Sequence, residues 1–247
     1  MELEGTTAVV TGGASGMGAE VAQRLTKAGA RAVTWDVKEN ADIVCDVSDP
    51  AAVDAAIAKT LEIAGVPTVM AACAGIGHSG ALLDVPVDEW DRVMNINLKG
   101  MWLATRAVAR AMIDAGKGGS IVAVSSVSAR LVDRVMGPYC ASKAGLDMIV
   151  KIAAYEWAAH GIRVNAVGPG VTDTPMLGNA SLVPGWIDDV VDRTPLGRLG
   201  TAGDIAEAIM ALFGLDWVTG QIVLVDGGLA LYSPIDSFGS RERAGML

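Results

Sequence analysis

The sequence has 247 residues, 51% of them hydrophobic but only 4% aromatic, with 30 glycines and a formal charge of -9. A chain of this length fits one α/β domain, and its acidic balance excludes a nucleic-acid binder, which needs a basic face to meet phosphate. The stretch 66–83 carries no charged residue and contains Pro67, Gly75, Gly77, His78 and Gly80. It reads as a buried strand leaving into a loop, and no membrane partner is expected.

The start, MELEGTTAVVTGG, lacks the basic region and apolar stretch of a secretory signal, so a cytoplasmic protein is expected. Cys45, Cys73 and Cys140 have neither paired nor metal-ligand spacing and read as reduced thiols. No metal site is expected. His78 and His160 stand apart with no carboxylate pattern, one in a loop and one at a helix end.

In chain order, a strand over 7–10 runs into a glycine-rich turn and a helix over 16–28. Strands over 32–35 and 43–45 follow, then a helix over 51–64 announced by Ser48, Asp49 and Pro50. A strand over 68–72 leads to a helix over 87–115, a strand over 120–124 to a helix over 139–160, and a strand over 163–167 to an irregular region over 168–200. A helix over 202–213 and a strand over 221–225 close the order. Most strands are continuous apolar runs, as expected where both sheet faces are covered. The alternation predicts one α/β domain over 1–247, a doubly wound parallel seven-stranded sheet with helices on both faces, the Rossmann fold. A segment at about 172–200 would serve as a lid, since a long loop in a compact domain usually carries function, and 229–247 would form a C-terminal extension.

The first strand passes directly into Thr11-Gly12-Gly13-Ala14-Ser15-Gly16-Met17-Gly18. Gly12 takes the tight turn, Gly16 lets a pyrophosphate approach the backbone, and Gly18 allows the helix to pack closely on the strand. The helix N-terminus supplies free N–H groups for the phosphates. Asp36 stands 18 positions past Gly18, where a carboxylate meets the adenine ribose hydroxyls and repels a 2′-phosphate. The turn holds no basic residue, and Lys38 is the nearby cation. NAD is the expected cofactor. Further on, Tyr139 and Lys143 are four apart in a helix and so share a face. A nearby cation favours the phenolate, and this pair therefore reads as an acid–base device.

With these residues in place, the chain resembles the short-chain dehydrogenase/reductase family over about 3–228. The glycine turn and the Tyr139–Lys143 pair match its motifs. Ser126 matches the serine that hydrogen-bonds the reacting oxygen, and Asn97 the asparagine that helps hold a proton-relaying water. The resemblance implies that Asp46 and Val47 meet the adenine, Ala74 and Gly75 the adenosine ribose, and Pro169, Gly170, Thr172 and Thr174 the nicotinamide. Cofactor contacts are further expected from Gly12, Ser15, Gly16, Met17, Gly18, Asp36, Tyr139 and Lys143.

The chain departs from the family at Ala72 and Cys73, where the pattern usually has two asparagines, at Thr172, where an aliphatic residue is more usual, and between Asp36 and Asp46, which leave no room for a helix. The family implies a homotetramer and hydride transfer between NAD(H) and a secondary alcohol or carbonyl. The alternatives are a 3-oxoacyl-type ketoreductase and a non-catalytic NAD-binding member. The lid offers Met176, Leu177, Leu182, Val183, Trp186 and Ile187, and the stretch before Tyr139 offers Ser128, Leu131 and Met136. Asp188, Asp189, Asp192 and Arg193 fit the solvated face of a short helix, so a largely apolar substrate is expected.

Overall fold

The computed structural model describes residues 2–231, so most of the expected C-terminal extension lies outside the described residues. Its strands are β1 (Thr7–Thr11), β2 (Arg31–Asp36), β3 (Ile43–Val44), β4 (Val69–Ala72), β5 (Gly119–Val124), β6 (Ile162–Pro169), β7 (Thr172–Asp173), β8 (Gly200–Thr201) and β9 (Ile222–Val225). Seven of them form one parallel sheet in the order β3-β2-β1-β4-β5-β6-β9. The order reverses between β1 and β4, and in such sheets a crevice for ligands opens beyond the C-terminal strand ends at that point.

Helices α1 (Gly16–Lys27), α2 (Pro50–Ala64), α3 (Val87–Met94), α4 (Met101–Asp114), α5 (Gly137–Trp157), α6 (Trp186–Arg193) and α7 (Ala202–Gly214) complete the chain. The continuous apolar strands divide their side chains between two cores, because successive residues of a strand face opposite ways. Val9, Val33, Met70, Ile121 and Val164 join Val53, Leu103, Met112, Leu146 and Val150 of α2, α4 and α5. Ala8, Val10, Ala71, Val122 and Val167 join Val21 and Leu25 of α1 and Ile205, Ile209 and Phe213 of α7.

Helix ends follow their sequence signals. Asp49 caps α2 by accepting the Ala51 N–H at 2.9 Å, with Pro50 in the first turn. Thr201 and Asp204 form a reciprocal capping box on α7. At the other end of α7 the Arg163 guanidinium donates to the carbonyls of Leu212 and Phe213, at 3.1 and 2.7 Å. A cation there satisfies carbonyls that the helix leaves open.

Three expectations need correcting. The helix over 87–115 is two α-helices joined by a π-helical segment, Asn95–Gly100. Apolar spacing does not register one extra residue in a turn. Within that segment Gly100 lies against β3's exit loop, where a Cβ would come within 2.8 Å of Val47. The helix expected to start at 139 begins at Gly137, because Pro138 fits the first turn. The region over 168–200 is not irregular: β7 pairs with β8, a 3-10 stretch covers Pro175–Leu182, and α6 follows.

The β2–β3 connection is as short as the sequence requires, with no helix between Asp36 and Ile43. The two strands nevertheless pair in parallel, Trp35 with Ile43 and Asp36 with Val44. The loop manages this by doubling back along β2. The Asp42 carboxylate accepts the Thr34 N–H at 2.8 Å and its hydroxyl at 2.7 Å, while the Asp42 N–H donates to Thr34 Oγ1 at 2.9 Å. A side chain thus takes the hydrogen bonds that a longer strand would have made.

Beside it, Trp35 is fully buried and its indole Nε1–H donates to Thr60 Oγ1 at 3.0 Å. Replacing that hydroxyl by a methyl of the same shape leaves a buried donor without a partner. Thr60→Val is expected to lose about 1–3 kcal/mol of unfolding free energy, read as a lower midpoint in urea at unchanged slope.

Candidate active site

The crevice at the β1/β4 switch is a cavity of about 290 Å³. Gly12, Ser15, Gly16, Met17 and Gly18 form one wall, Asp36, Asp46 and Val47 another, and Ala74, Gly75 and Thr174 a third. The glycines are there for space. A Cβ on Gly18 would lie 2.2 Å from the Gly12 carbonyl oxygen, and Gly16 has φ +54° at the point where the chain enters α1. Ser15 stands at the N-cap of α1 without using its side chain on the helix, and the first turn holds no acidic residue. The opening N–H groups of α1 therefore face the cavity as a site for an anion.

The rim is charged in a fixed way. The Asp36 carboxylate accepts the N–H groups of Ala14 at 3.1 Å and Lys38 at 3.2 Å, which holds a negative charge at the end of β2. The Lys38 ammonium reaches across to Ser15 Oγ at 2.9 Å. Asp46 accepts both the N–H and the hydroxyl of Ser48. Glycine turn, helix N-terminus and a carboxylate on the second strand are the donor set that fits the phosphates and ribose of a dinucleotide.

Next to the Gly75 end of this cavity lies the polar cluster. A Cβ on Gly75 would sit 3.3 Å from Asn97 Oδ1 and 3.6 Å from Lys143 Nζ. Asn97 is fully buried and grips the strand exit from both sides, accepting the Ile76 N–H at 2.8 Å and donating to the Ile76 carbonyl at 2.9 Å. Lys143 is 4% exposed and donates to the Val124 carbonyl at 2.7 Å. Burial pulls its ammonium down to about 8, against the pull of the Asp147 carboxylate toward the charged form. Its Nζ is 5.7 Å from the centre of the Tyr139 ring.

Ser126 leaves β5 in extended conformation and its hydroxyl accepts the Ser128 N–H at 3.1 Å. It also hydrogen-bonds the Tyr139 phenol. The phenol departs from the sequence-based expectation. Burial raises it above its ordinary value, and the Ser126 hydrogen bond only partly opposes this. Burial therefore favours the protonated phenol.

The structure brings the expected cofactor residues Gly12, Ser15, Gly16, Met17, Gly18, Asp36, Asp46, Val47, Ala74, Gly75 and Thr174 to one cavity, while Tyr139 and Lys143 are not in its lining. Pro169, Gly170 and Thr172 stand outside its lining. The Thr172 hydroxyl turns back to the Gly170 carbonyl at 3.0 Å, under the small β7–β8 sheet. The sequence missed the partner of His78: its Nδ1 lies 3.2 Å from Glu89 Oε1, a carboxylate that also binds Arg92. It also missed the hydrogen bond from Ser125 to Asp147 at 2.5 Å. The signal for the latter is in the sequence, since Asp147 repeats the four-residue step from Tyr139 to Lys143.

Comparison with known proteins agrees with this geometry. The family model described as enoyl-(acyl carrier protein) reductase matches residues 12–230. The (3R)-3-hydroxyacyl-CoA dehydrogenase of Canis lupus familiaris is 34% identical, with 93% of this chain and 98% of that one aligned. The cis-4-hydroxycyclohexanecarboxylate dehydrogenase of Sinomonas cyclohexanicum is 38% identical over 90% of this chain and 95% of its own. A solved short-chain type dehydrogenase/reductase from Mycobacterium marinum superposes with a TM-score of 0.90 at 29% identity, covering 94% of this chain and 98% of that one.

The buried surroundings of the cluster also set thiol chemistry. Burial pushes the Cys73 thiol up to about 12 and that of Cys45 up to about 11, and both therefore stay protonated at pH 8. The thiolate is the reactive form. With iodoacetamide at pH 8, mass spectrometry is expected to find Cys73 and Cys45 unmodified in the folded protein and alkylated after unfolding.

Proposed function

Since the chain belongs to the short-chain dehydrogenase/reductase family, we propose that this oxidoreductase interconverts a largely apolar secondary alcohol and its ketone, with NAD(H) as cofactor. The observation that carries the reading is the convergence of Ser126, Tyr139 and Lys143 beside a cavity built for a dinucleotide. When bound, the nicotinamide supplies and accepts the hydride. The chain's own residues handle the proton. The Tyr139 hydroxyl gives its proton to the carbonyl oxygen in reduction and takes it from the alcohol in oxidation. The Ser126 hydroxyl orients that oxygen and stabilises its partial charge. Lys143 provides the cation that favours the phenolate during turnover, and with Asn97 connects the site to solvent.

The substrate reading rests on the mouth of the site. Leu82, Leu131 and Val135, from the segments that precede α3 and α5, and Met176, Val183 and Ile187, from the segment over 172–200, are exposed. A small bridge between Gly80 and Met136 ties the exit of β4 to the loop that precedes α5. Apolar walls with a few placed hydroxyls suit an uncharged ligand, and the carboxylates of α6 disfavour an anionic one. Trp102 of α4, under Arg106, and Met148, Ile152 and Tyr155 of α5 are exposed and offer an apolar face for the proposed homotetramer. No described helix is long and apolar enough to cross a membrane. Three unpaired thiols fit a reducing compartment, the cytoplasm.

Turnover of a panel of alicyclic alcohols, steroids, sugars, hydroxy acids and acyl-CoA esters, followed by NADH absorbance, tests the substrate reading. Saturation by an alicyclic or steroidal alcohol is expected, and saturation by sugars or CoA esters alone would refute it. On the best substrate, Tyr139→Phe is expected to lower kcat by about 10²–10⁴-fold at nearly unchanged NADH affinity. Asp36 supports NAD over NADP because its fixed carboxylate repels a 2′-phosphate. NAD is expected to be preferred by at least about 10²-fold in kcat/KM, and Asp36→Ala to narrow the gap. Equal rates with the two cofactors would instead assign Lys38 to the phosphate.

A further inference from the structure

Two residues that no motif marks tie the catalytic helix to the central strand. Ser125 follows β5 and is 2% exposed, with its N–H donating to the Val167 carbonyl at 2.7 Å. Its hydroxyl donates to Asp147 Oδ1 at 2.5 Å. One turn earlier on α5, Lys143 reaches the same strand end through the Val124 carbonyl at 2.7 Å. Tyr139, Lys143 and Asp147, spaced by four, lie on one helical face. Two contacts one turn apart fix both the height and the rotation of α5 against β5. Ser126 is the next residue after Ser125, so its hydroxyl is placed by the same anchor.

We propose that Asp147 is a positioning residue of the proton-transfer site: through Ser125 it holds Ser126 in register with Tyr139, and its carboxylate supports the charge of Lys143. This role rests on the reading of Ser126, Tyr139 and Lys143 given above. The charges around the pair are few. Arg130, from the turn after Ser126, and Lys143 and Lys151, on either side along α5, face Asp147. Cys73, at the exit of β4, and Asp147 face Lys143. Burial pushes the Asp147 carboxyl up, while the Ser125 hydrogen bond and the three cations hold it down.

The sign of the pH effect follows. Lys143 loses its proton as pH rises through about 8, a value already lowered by burial. Removing the negative charge of Asp147 disfavours the ammonium further. The alkaline limb of kcat then moves to lower pH. Removing only the Ser125 hydroxyl keeps the carboxyl group beside Lys143, and the limb stays where it is.

The test measures kcat, KM, NADH affinity and the pH profile, using the panel alcohol of highest turnover as probe. Asp147→Asn is expected to lower kcat by on the order of 10- to 100-fold, to leave KM and NADH affinity within about twofold, and to shift the alkaline limb down by about half a unit or more. Asp147→Glu restores part of the limb. Ser125→Ala lowers kcat without moving the limb, and the double variant is no slower than Asp147→Asn alone, because both act through one contact. Wild-type kcat in Asp147→Asn overturns the proposal, and so does a loss of kcat with an unmoved limb or one that follows lost NADH affinity. Tyr139→Phe, assayed alongside, separates the two readings. If it stays active the assignment of the site itself fails, and this role with it; if it is inactive while Asp147→Asn is normal, only this role fails.

Discussion

A buried ammonium is the constraint on which the C-terminal edge of this sheet depends. Charged side chains are almost never fully buried unless something receives them. Lys143 is received by the Val124 carbonyl, at the end of the central strand β5. The exits of β4 and β5 are then arranged around it. Asn97 closes one side by holding the Ile76 backbone through both its N–H and its carbonyl. Gly75 leaves room where any side chain would approach Lys143 and Asn97. The π-helical turn that breaks α3 from α4 is part of the same arrangement, since it contains both Asn97 and Gly100. Such turns often occur at functional sites, and here the widened turn carries an inward amide in the middle of a long rod.

Much of the fold was legible because the physics is local. Parallel strands buried on both faces must be apolar throughout, and helices must cover them, so the alternation alone implied a parallel sheet with helices on both faces. The glycine turn was legible for a steric reason that survives inspection: the start of α1 touches the Gly12 carbonyl and tolerates no Cβ at Gly18. The missing helix between β2 and β3 followed from counting residues. What counting could not supply was the substitute, the Asp42 side chain bonded along Thr34.

The site was legible as residue identities but not as environments. Tyr139 and Lys143 were marked by their spacing, yet the effect of burial on both depends on the whole sheet edge. It pushes the phenol up and the ammonium down, against the simple expectation of a cation lowering a phenol. His78 shows the same limit. Its carboxylate partner is eleven residues away on a different element, and no local pattern connects a loop to the first turn of α3. Thr172, marked only by its place in a segment, has turned its hydroxyl onto the Gly170 carbonyl.

The short crossing between β2 and β3 has a consequence for how this protein can change. Elsewhere in the sheet a crossover helix contributes side chains to a core, so altering it disturbs packing. Here the connection is held to its strand by the carboxylates of Asp42 and Asp36, and it carries Lys38 on the cavity rim two residues after Asp36. This stretch of the cavity rim is therefore mechanically separate from the layers that give the domain its stability. Residues 37–41 form an exchangeable cassette. Its length and charge can be rewritten, and with them the surface offered at the cavity rim, without rebuilding either core.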